Sequence, residues 1–441
     1  MSTAAATLAG VRTVVVSTEQ PGTRMAGPAI RAVHLAGALQ AAGADVRLAV
    51  PAPPDTDLGV PTTAFGPFSP ESFRRLSRGT DVVVTQPLRV DVARGLHGAG
   101  ARIVYDLYVP SFVEYPAAHG GEQRSPAARD ALIARNQLEY ATALSCGDAF
   151  ICASDRQRDH WLGALGEAGR IYPLDDRPGA GVGPPVSVVP FGLSDEPPSP
   201  AAVPVLRGVL VPADSVILLW TGGLWNWFDP ATLLRGLRLA ADADPRIRLV
   251  VMGAGHASDD WSEHRAAADA MRLADELGLL ADGHLVVAAR WVPFEQRSAF
   301  LLESDIGVCA YYDSDETRLS FRTRYLDHLW AGLPTLSTDG GSLTEQMVTA
   351  GAAATVPAGD AQAWADALVA LAADAARRQE MADAARRLAQ DFRWSVATAP
   401  LVELLAGLDA VPHGRAPGAI TTARYYALAA RNRLDAMRSR A

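Results

Sequence analysis

Between residues 12 and 192, short apolar runs alternate with stretches of helical period, and near residue 215 the same rhythm starts again. RTVVVS (12–17), DVRLAVP (45–51), DVVVTQP (81–87), RIVYDLYVP (102–110), AFICAS (149–154) and VSVVPFG (186–192) are nearly continuous apolar runs. Strands of that kind are buried on both faces, as in a parallel sheet. SVILLWTGG, IRLVVMGAG, HLVVAARWV, DIGVCAYY, LPTLSTDGG and AAATVPAG supply six more after residue 214. Helical segments fill the gaps. One runs from about Pro28 to Ala42, with proline in its first turn and Gly43 behind it. A long Ala/Arg-rich helix is expected near 361–391, and a last one from Trp394 to Leu408.

Strand–helix alternation of this kind predicts an α/β fold of two doubly wound, Rossmann-like domains. The Pro-rich stretch DEPPSPAAVP (195–204) is the best candidate for the joint between them. The expected division is an N-terminal domain over 1–194, a linker over 195–212 and a C-terminal domain over 213–393. A closing helix over 394–411 and a basic tail over 412–441 complete it. A cleft is expected where the carboxyl ends of both sheets meet.

The tail has six arginines against one acid, with Tyr425, Tyr426 and Leu428 interleaved. It reads either as a solvated helix packed back on the body or as an amphipathic helix on an anionic membrane surface.

Composition narrows the chemistry. A net charge of −9 over 441 residues argues against a general nucleic-acid binder. The mean hydropathy of +0.06 and the lack of a long apolar window argue against a membrane span. Met1–Val16 lacks the basic start of a secretory signal. Three cysteines without a CxxC pattern fit a reducing, cytoplasmic address, possible contact with the inner membrane face being left to the tail. The chain has no lysine, so all 40 basic residues are arginine. This excludes a Walker P-loop and a pyridoxal Schiff base. Phosphate must then be held by arginine, backbone N–H groups or helix ends.

Three loops carry the candidate chemistry. In TRMAGPAIR, Gly27 opens a helix whose first N–H groups suit an anion. In TGGLWNWFDP (221–230), Gly223 ends a strand and Trp225, Asn226 and Trp227 crowd the loop. Aromatic faces interleaved with polar groups suit sugar rings. In ETRLSFRTRYLDHLWAGLPTLSTDGG (316–341), Ser320 is expected as the N-cap of a helix over 321–331. Arg322 and Arg324 would lie in its first turn, an unfavourable place for cations unless an anion is shared there. Asp327, one turn on, is placed to accept two ribose hydroxyls or to pair with Arg324 across the helix surface. HASDDWSEH (256–264) matches no zinc or calcium spacing, so no metal is expected.

These segments together resemble the GT-B glycosyltransferases, and within them the retaining family 4 type. YLDHLWAGLPTLSTDGGSLTE carries most of the likeness, supported by MAGPAIR, ICASDRQRDHWLGAL with VVPFG, and ARWVPFEQRSAFLLESDIGV. The likeness spans about residues 11–410. It implies transfer of a sugar from a nucleotide-diphosphate donor to a natural-product, oligosaccharide or lipid-linked acceptor, with no cofactor and no obligatory metal.

By the same resemblance the backbone at Phe321, Arg322, Thr323 and Arg324 binds the diphosphate, and Asp327 holds the ribose. The base lies against Arg290, Trp291 and Val292. The chain departs from the pattern in three places. The first acid of the family's pair falls on Leu319, with Glu316 near enough to substitute. The usual Arg and Lys of the loop after the second domain's first strand fall on Gly223 and Phe228. The family's donor-facing histidine is absent, with Asp106 and Tyr108 in its stretch. Asp106 and Glu316 are therefore the candidate catalytic acids, and Tyr108 joins Trp225, Asn226 and Trp227 as candidates for the sugar or acceptor. A nucleotide-sugar epimerase of the same fold and a non-catalytic binding subunit stand as alternative readings.

Overall fold

In the computed structural model, the described residues are 7–108, 110, 112–114, 125–171, 183–253, 265–289, 292, 294–411, 413–414 and 418–438. They form two compact units. The first takes in the N-terminal part through Phe191 together with Trp394 onward, and the second holds Gly192–Arg393.

The first unit is built on a seven-stranded parallel sheet. Its strands are β1 (Arg12–Val16), β2 (Asp45–Val50), β3 (Thr62–Ala64), β4 (Val82–Thr85), β5 (Arg102–Asp106), β6 (Ala149–Cys152) and β7 (Val186–Val188), in the order β3-β2-β1-β4-β5-β6-β7. β1 sits between β2 and β4, with Val14 opposite Arg47 on one side and Val83 on the other. Strand β3 was not expected; three residues reading Thr-Thr-Ala carry no apolar run to announce it. Alternate strand residues feed cores on both faces. Val15, Leu48, Val84 and Val104 pack toward the helix Gly27–Ala41. Val14, Val83, Ile103 and Phe150 pack toward the helices Pro70–Ser77, Val90–His97, Pro126–Cys146 and Asp155–Glu167.

The second unit has six parallel strands. They are β8 (Val216–Trp220), β9 (Ile247–Val251), β10 (Leu285–Val287), β11 (Ile306–Cys309), β12 (Thr335–Thr338) and β13 (Ala353–Val356), in the order β10-β9-β8-β11-β12-β13. All six expected strands are present. The long helix expected at 361–391 is two, Ala361–Ala373 and Ala375–Ala389. Asp374 breaks it by capping the second, accepting from the Arg377 N–H at 2.8 Å.

Two boundaries differ from expectation. The stretch 195–212 is no free linker, because its second half is pinned to the second unit. Leu206 and Val211 lie in that unit's core with Ile217 and Leu219. The Glu303 carboxylate accepts the N–H groups of Val205, Leu206 and Arg207 at 2.7, 2.8 and 3.1 Å. Burial would raise this carboxyl, but those three bonds hold it below the ordinary glutamate value. The closing segment, expected to finish the second domain, belongs to the first. Leu401, Leu404, Leu405 and Leu408 complete the core beside Val15 and Leu35, and His34 stacks on Trp394 at 4.4 Å. An apolar stripe is legible in sequence, but which sheet it covers is not.

The tail forms the helix Ala419–Arg438 and packs on the helix Pro126–Cys146. Tyr425 is buried, and the Tyr426 hydroxyl donates to Asp91 Oδ2 at 3.0 Å. Among the described residues no helix is long and apolar enough to cross a membrane.

Candidate active site

In an open parallel sheet, ligands settle at the carboxyl ends of strands where the strand order reverses, because the loops on either side diverge there. In the second unit that point lies between β8 and β11. The flanking loops are TGGLWNWFD (221–229), which the sequence singled out, and AYYDSDETRLS (310–320), which runs into the singled-out stretch 316–341. They touch through an isolated bridge between Phe228 and Tyr311, whose rings meet at 5.1 Å.

Asp229 ends the first loop by capping the helix Pro230–Ala243, accepting from Thr232 N–H at 3.1 Å and Thr232 Oγ1 at 2.6 Å. Trp225 and Trp227, half-buried, stack on each other at 5.6 Å and 17°. Asn226 between them accepts the Ala266 N–H at 3.2 Å. Gly222 has φ +81°, a turn that favours glycine. A Cβ on Gly223 would stand 3.2 Å from the Trp225 ring.

The second loop differs from expectation. Ser320 does not cap a helix over 321–331. A short helix, Asp315–Leu319, is capped by Ser314 and ends at Ser320; a second, Arg324–Ala331, starts after Thr323. The cause is Glu316. Its buried carboxylate accepts Ser320 Oγ at 2.6 Å and pairs with Arg322 Nη2, folding residues 320–322 back on the short helix. The Arg322 guanidinium also lies 4.4 Å from the Tyr311 ring centre. A buried pair of this kind fixes geometry more than it adds stability, and losing one partner leaves a costly bare charge.

Arg324 behaves differently. Its Nη2 donates to the Gly223 carbonyl at 3.2 Å, and its guanidinium lies 3.9 Å from the Phe228 ring centre and 5.1 Å from that of Trp220. Its Nη1 is buried with no hydrogen-bond partner among the described residues. So one arginine touches both Gly223 and Phe228, the two positions where the sequence resemblance would place loop cations. Asp327 lies one turn on, with Arg297 Nη1 at 3.9 Å. Burial raises its carboxyl above the ordinary aspartate value, while Arg297 and Arg324 draw it down. The side chain stays a quarter exposed, so the rise is smaller than full burial would impose. Phe321 is buried against Phe392 at 6.2 Å, and Thr323 is exposed at the helix start. At that helix start the Tyr325 and Leu326 N–H groups donate to the Arg322 and Thr323 carbonyls at 3.1 and 3.0 Å.

Behind this layer, His328 is fully buried and its ring is pushed down to about 3 by burial, so it is neutral. It bridges Thr221 Oγ1 at 3.3 Å and Thr335 Oγ1 at 3.0 Å, tying the end of β8 to β12 through the helix Arg324–Ala331. Sequence reasoning passed over it; its signal was a lone polar residue on the apolar face of YLDHLWAG. The turn Asp339–Gly341 abuts the short helix, with the Gly340 and Gly341 Cβ positions 3.8 and 3.9 Å from Thr317 atoms.

The first unit gathers a separate set. Asp106 ends β5, and both its oxygens are taken by the fully buried Arg31, Nε to Oδ2 at 2.6 Å and Nη2 to Oδ1 at 3.0 Å. Arg31 also donates to the carbonyls of Val189 and Pro190 at 2.9 and 3.0 Å and sits 4.9 Å from the Tyr108 ring centre. Tyr108 is buried, its hydroxyl raised by burial and by Asp106. Gly27 lies beside it, 3.8 Å from the Tyr108 hydroxyl as a Cβ would measure, at the uncapped start of Gly27–Ala41. Arg31 was missed because a helix arginine carries no mark of burial in sequence.

Of the three residues expected against the base, Val292 has its side chain in the second unit's core, while Arg290 and Trp291 lie outside the described residues, as does the 256–264 run. No cluster of three or more His, Cys, Asp or Glu able to hold a metal occurs among the described residues.

The two sheets, their strand orders and the site at the second switch point define a GT-B architecture, and comparison with known proteins agrees. Residues 215–374 match the family model described as glycosyl transferases group 1. The chain is similar in fold to sucrose-phosphate synthase from Thermosynechococcus elongatus, with TM-score 0.66 and 18% identity, over 90% of this chain and 99% of that one. It is similar to Anabaena HepE in complex with UDP, with TM-score 0.64 and 14% identity, over 90% and 100%. A UDP-forming trehalose-phosphate synthase from Burkholderia xenovorans gives TM-score 0.62 and 14% identity, over 90% and 99%. No curated protein sequence matches. The chain thus has the GT-B fold, and residues 215–374 of its second unit match the group 1 glycosyl transferases.

Proposed function

We propose that this protein moves a sugar, with retention and without a metal, from a nucleotide-diphosphate donor bound on its second unit. The observation that carries this reading is Arg324. A buried guanidinium nitrogen without a partner, at a helix start and at the switch point, calls for an anion. Asp327, one turn along the same helix, is spaced to take the ribose hydroxyls next to that anion. Phe321, Arg322 and Thr323 offer backbone N–H groups to the diphosphate. The Arg322 side chain is committed to Glu316, so Arg324 is the cation that meets the phosphate.

The state of the carboxylates supports retention. Asp106 has both oxygens bonded to Arg31 and is poorly placed to accept a proton. Glu316 is closed by Arg322 and Ser320, and serves to shape the donor loop. The leaving phosphate is then the proton acceptor for the incoming hydroxyl, and the protein positions groups and balances charge. The Trp225–Trp227 stack, with Asn226, offers an apolar face to a sugar or to a glycan, natural-product or lipid-linked acceptor.

The test is a thermal-shift screen against UDP, GDP, TDP and ADP, followed by donor turnover and NMR of the product's anomeric proton. One nucleotide is expected to stabilise strongly, its sugar to be slowly hydrolysed, and Asp327→Ala to abolish both. An inverted product would overturn retention. The closure of both carboxylates in arginine pairs favours one rival, a binding subunit without turnover. Nucleotide binding with no hydrolysis or transfer from any donor would select it.

A further inference from the structure

Away from the donor residues, the second unit encloses a cavity of about 280 Å³, lined among others by Leu193, Glu196, Pro197, Trp330, Arg386 and Arg393. It adjoins both stretches where the chain passes from one unit to the other, next to Gly192 and Arg393. Trp330 closes the helix Arg324–Ala331 whose first turn holds Arg324 and Asp327. Trp330 and Ala331 lie roughly 9–10 Å along the axis from Arg324, and none of Gly223, Arg324 and Asp327 lines the cavity. It is therefore not the donor pocket.

Its walls are set, and its charge is unmet. The Trp330 indole N–H donates to the Glu196 carbonyl at 2.7 Å, which fixes the ring. Arg386 lies across Gly332, where an added Cβ would stand 2.6 Å from its Nε, and its Nη1 meets Asp383 at 2.7 Å. The Arg393 guanidinium makes no hydrogen bond or ion pair among the described residues. Two guanidiniums, one of them unpaired, suit a phosphate, which takes two parallel N–H bonds from each planar fork. Trp330, Leu193 and Pro197 supply the apolar surface that a compact ring stacks on. The Glu196 side chain is exposed beside them and can accept from hydroxyl groups. The volume lies just below the roughly 300–1,000 Å³ usual for ligand pockets. It suits a small phosphate ester and is too small for a nucleotide sugar.

We propose that this cavity is a second ligand site that binds a small polyhydroxylated phosphate monoester, such as a hexose or pentose phosphate. The proposal does not depend on the donor reading.

Isothermal titration of the full-length protein tests it, with glucose 6-phosphate, fructose 6-phosphate and ribose 5-phosphate as probes and glucose and inorganic phosphate as controls. At least one ester is expected to bind, more tightly than inorganic phosphate, with no binding of glucose. Arg393→Gln is expected to weaken that ester at least tenfold, and Arg393→Lys to weaken it less. Asp327→Ala is expected to leave it unchanged. Failure of all three esters to bind overturns the proposal. So does undiminished binding to Arg393→Gln. Loss of binding in Asp327→Ala would assign the ester to the donor site and equally overturn it. Thermal melts of each variant separate lost binding from lost folding.

Discussion

At the scale of single residues, two arginines two positions apart do different work. Arg322 is the inner one, buried and paired with Glu316; Arg324 is turned toward the switch point with a nitrogen to spare. Their substitutions should therefore separate. Arg324→Ala is expected to weaken nucleotide binding by about 1.5–3 kcal/mol, the worth of a hydrogen bond to a charged group, with little change in melting temperature. Arg322→Ala leaves a buried carboxylate bare and is expected to cost about 3–5 kcal/mol of stability in urea unfolding. Equal effects of the two on binding and on stability would refute the division of labour. The sequence drew attention to both residues and to Asp327, because cations at a helix start are anomalous whatever surrounds them. It could not tell one arginine from the other, because their partners are decided by side-chain packing. Gly307 makes a similar point. A Cβ there would stand 2.5 Å from the His328 ring, and Gly307→Ala is expected to destabilise by about 1–3 kcal/mol, read as a lower urea midpoint.

At the scale of elements, the helix Arg324–Ala331 begins later than its sequence suggested. Ser320 has the chemistry of an N-cap, but its hydroxyl is claimed by Glu316 four residues back, so the chain turns before helix resumes. Local propensity yields here to a buried ion pair. The tail helix shows the same dependence on context. It packs on Pro126–Cys146 near Glu139, whose carboxyl is raised to about 6, by burial first, against the pull of Arg135, Tyr425 and Arg89. A folded value above the unfolded one means that the folded state binds the extra proton. Stability contributed by this group is thus present below about pH 4.5 and lost as pH rises through about 6, by at most roughly 2 kcal/mol. Hydrogen exchange in Ala419–Arg438 is expected to be slower at pH 5 than at pH 7, corrected for intrinsic rates. In Glu139→Gln that difference should vanish; if it persists, another group governs the docking.

At the scale of the whole molecule, the chain visits the first unit, builds the second, and returns. Leu401, Leu404, Leu405 and Leu408 fill a core whose other residues, apart from Val411, lie between Leu8 and Val189. A chain ending at Arg393 is expected to lose the first unit's cooperative melt and to aggregate, since apolar residues of β1 and Gly27–Ala41 would be uncovered. One ending at Val411 should keep it. Two calorimetric traces suffice, and a normal melt for the shorter chain would show that the returning segment is dispensable.

The sequence by itself determined the class of fold and drew attention to the loops on which the donor reading rests. Continuous apolar runs specify buried parallel strands through local burial alone, and an absence of lysine leaves only arginine and backbone to grip phosphate. The resemblance, carried by several short segments together, needed no contact map. Only the tertiary structure decided who pairs with whom. Arg31 closes on Asp106 across 75 residues, and Arg324 reaches Gly223 across 101. Which sheet the last leucines cover is a choice of the same kind. Such contacts depend on side-chain direction and on the burial of charge, and those are properties of the folded interior, not of any stretch of chain that could be read alone.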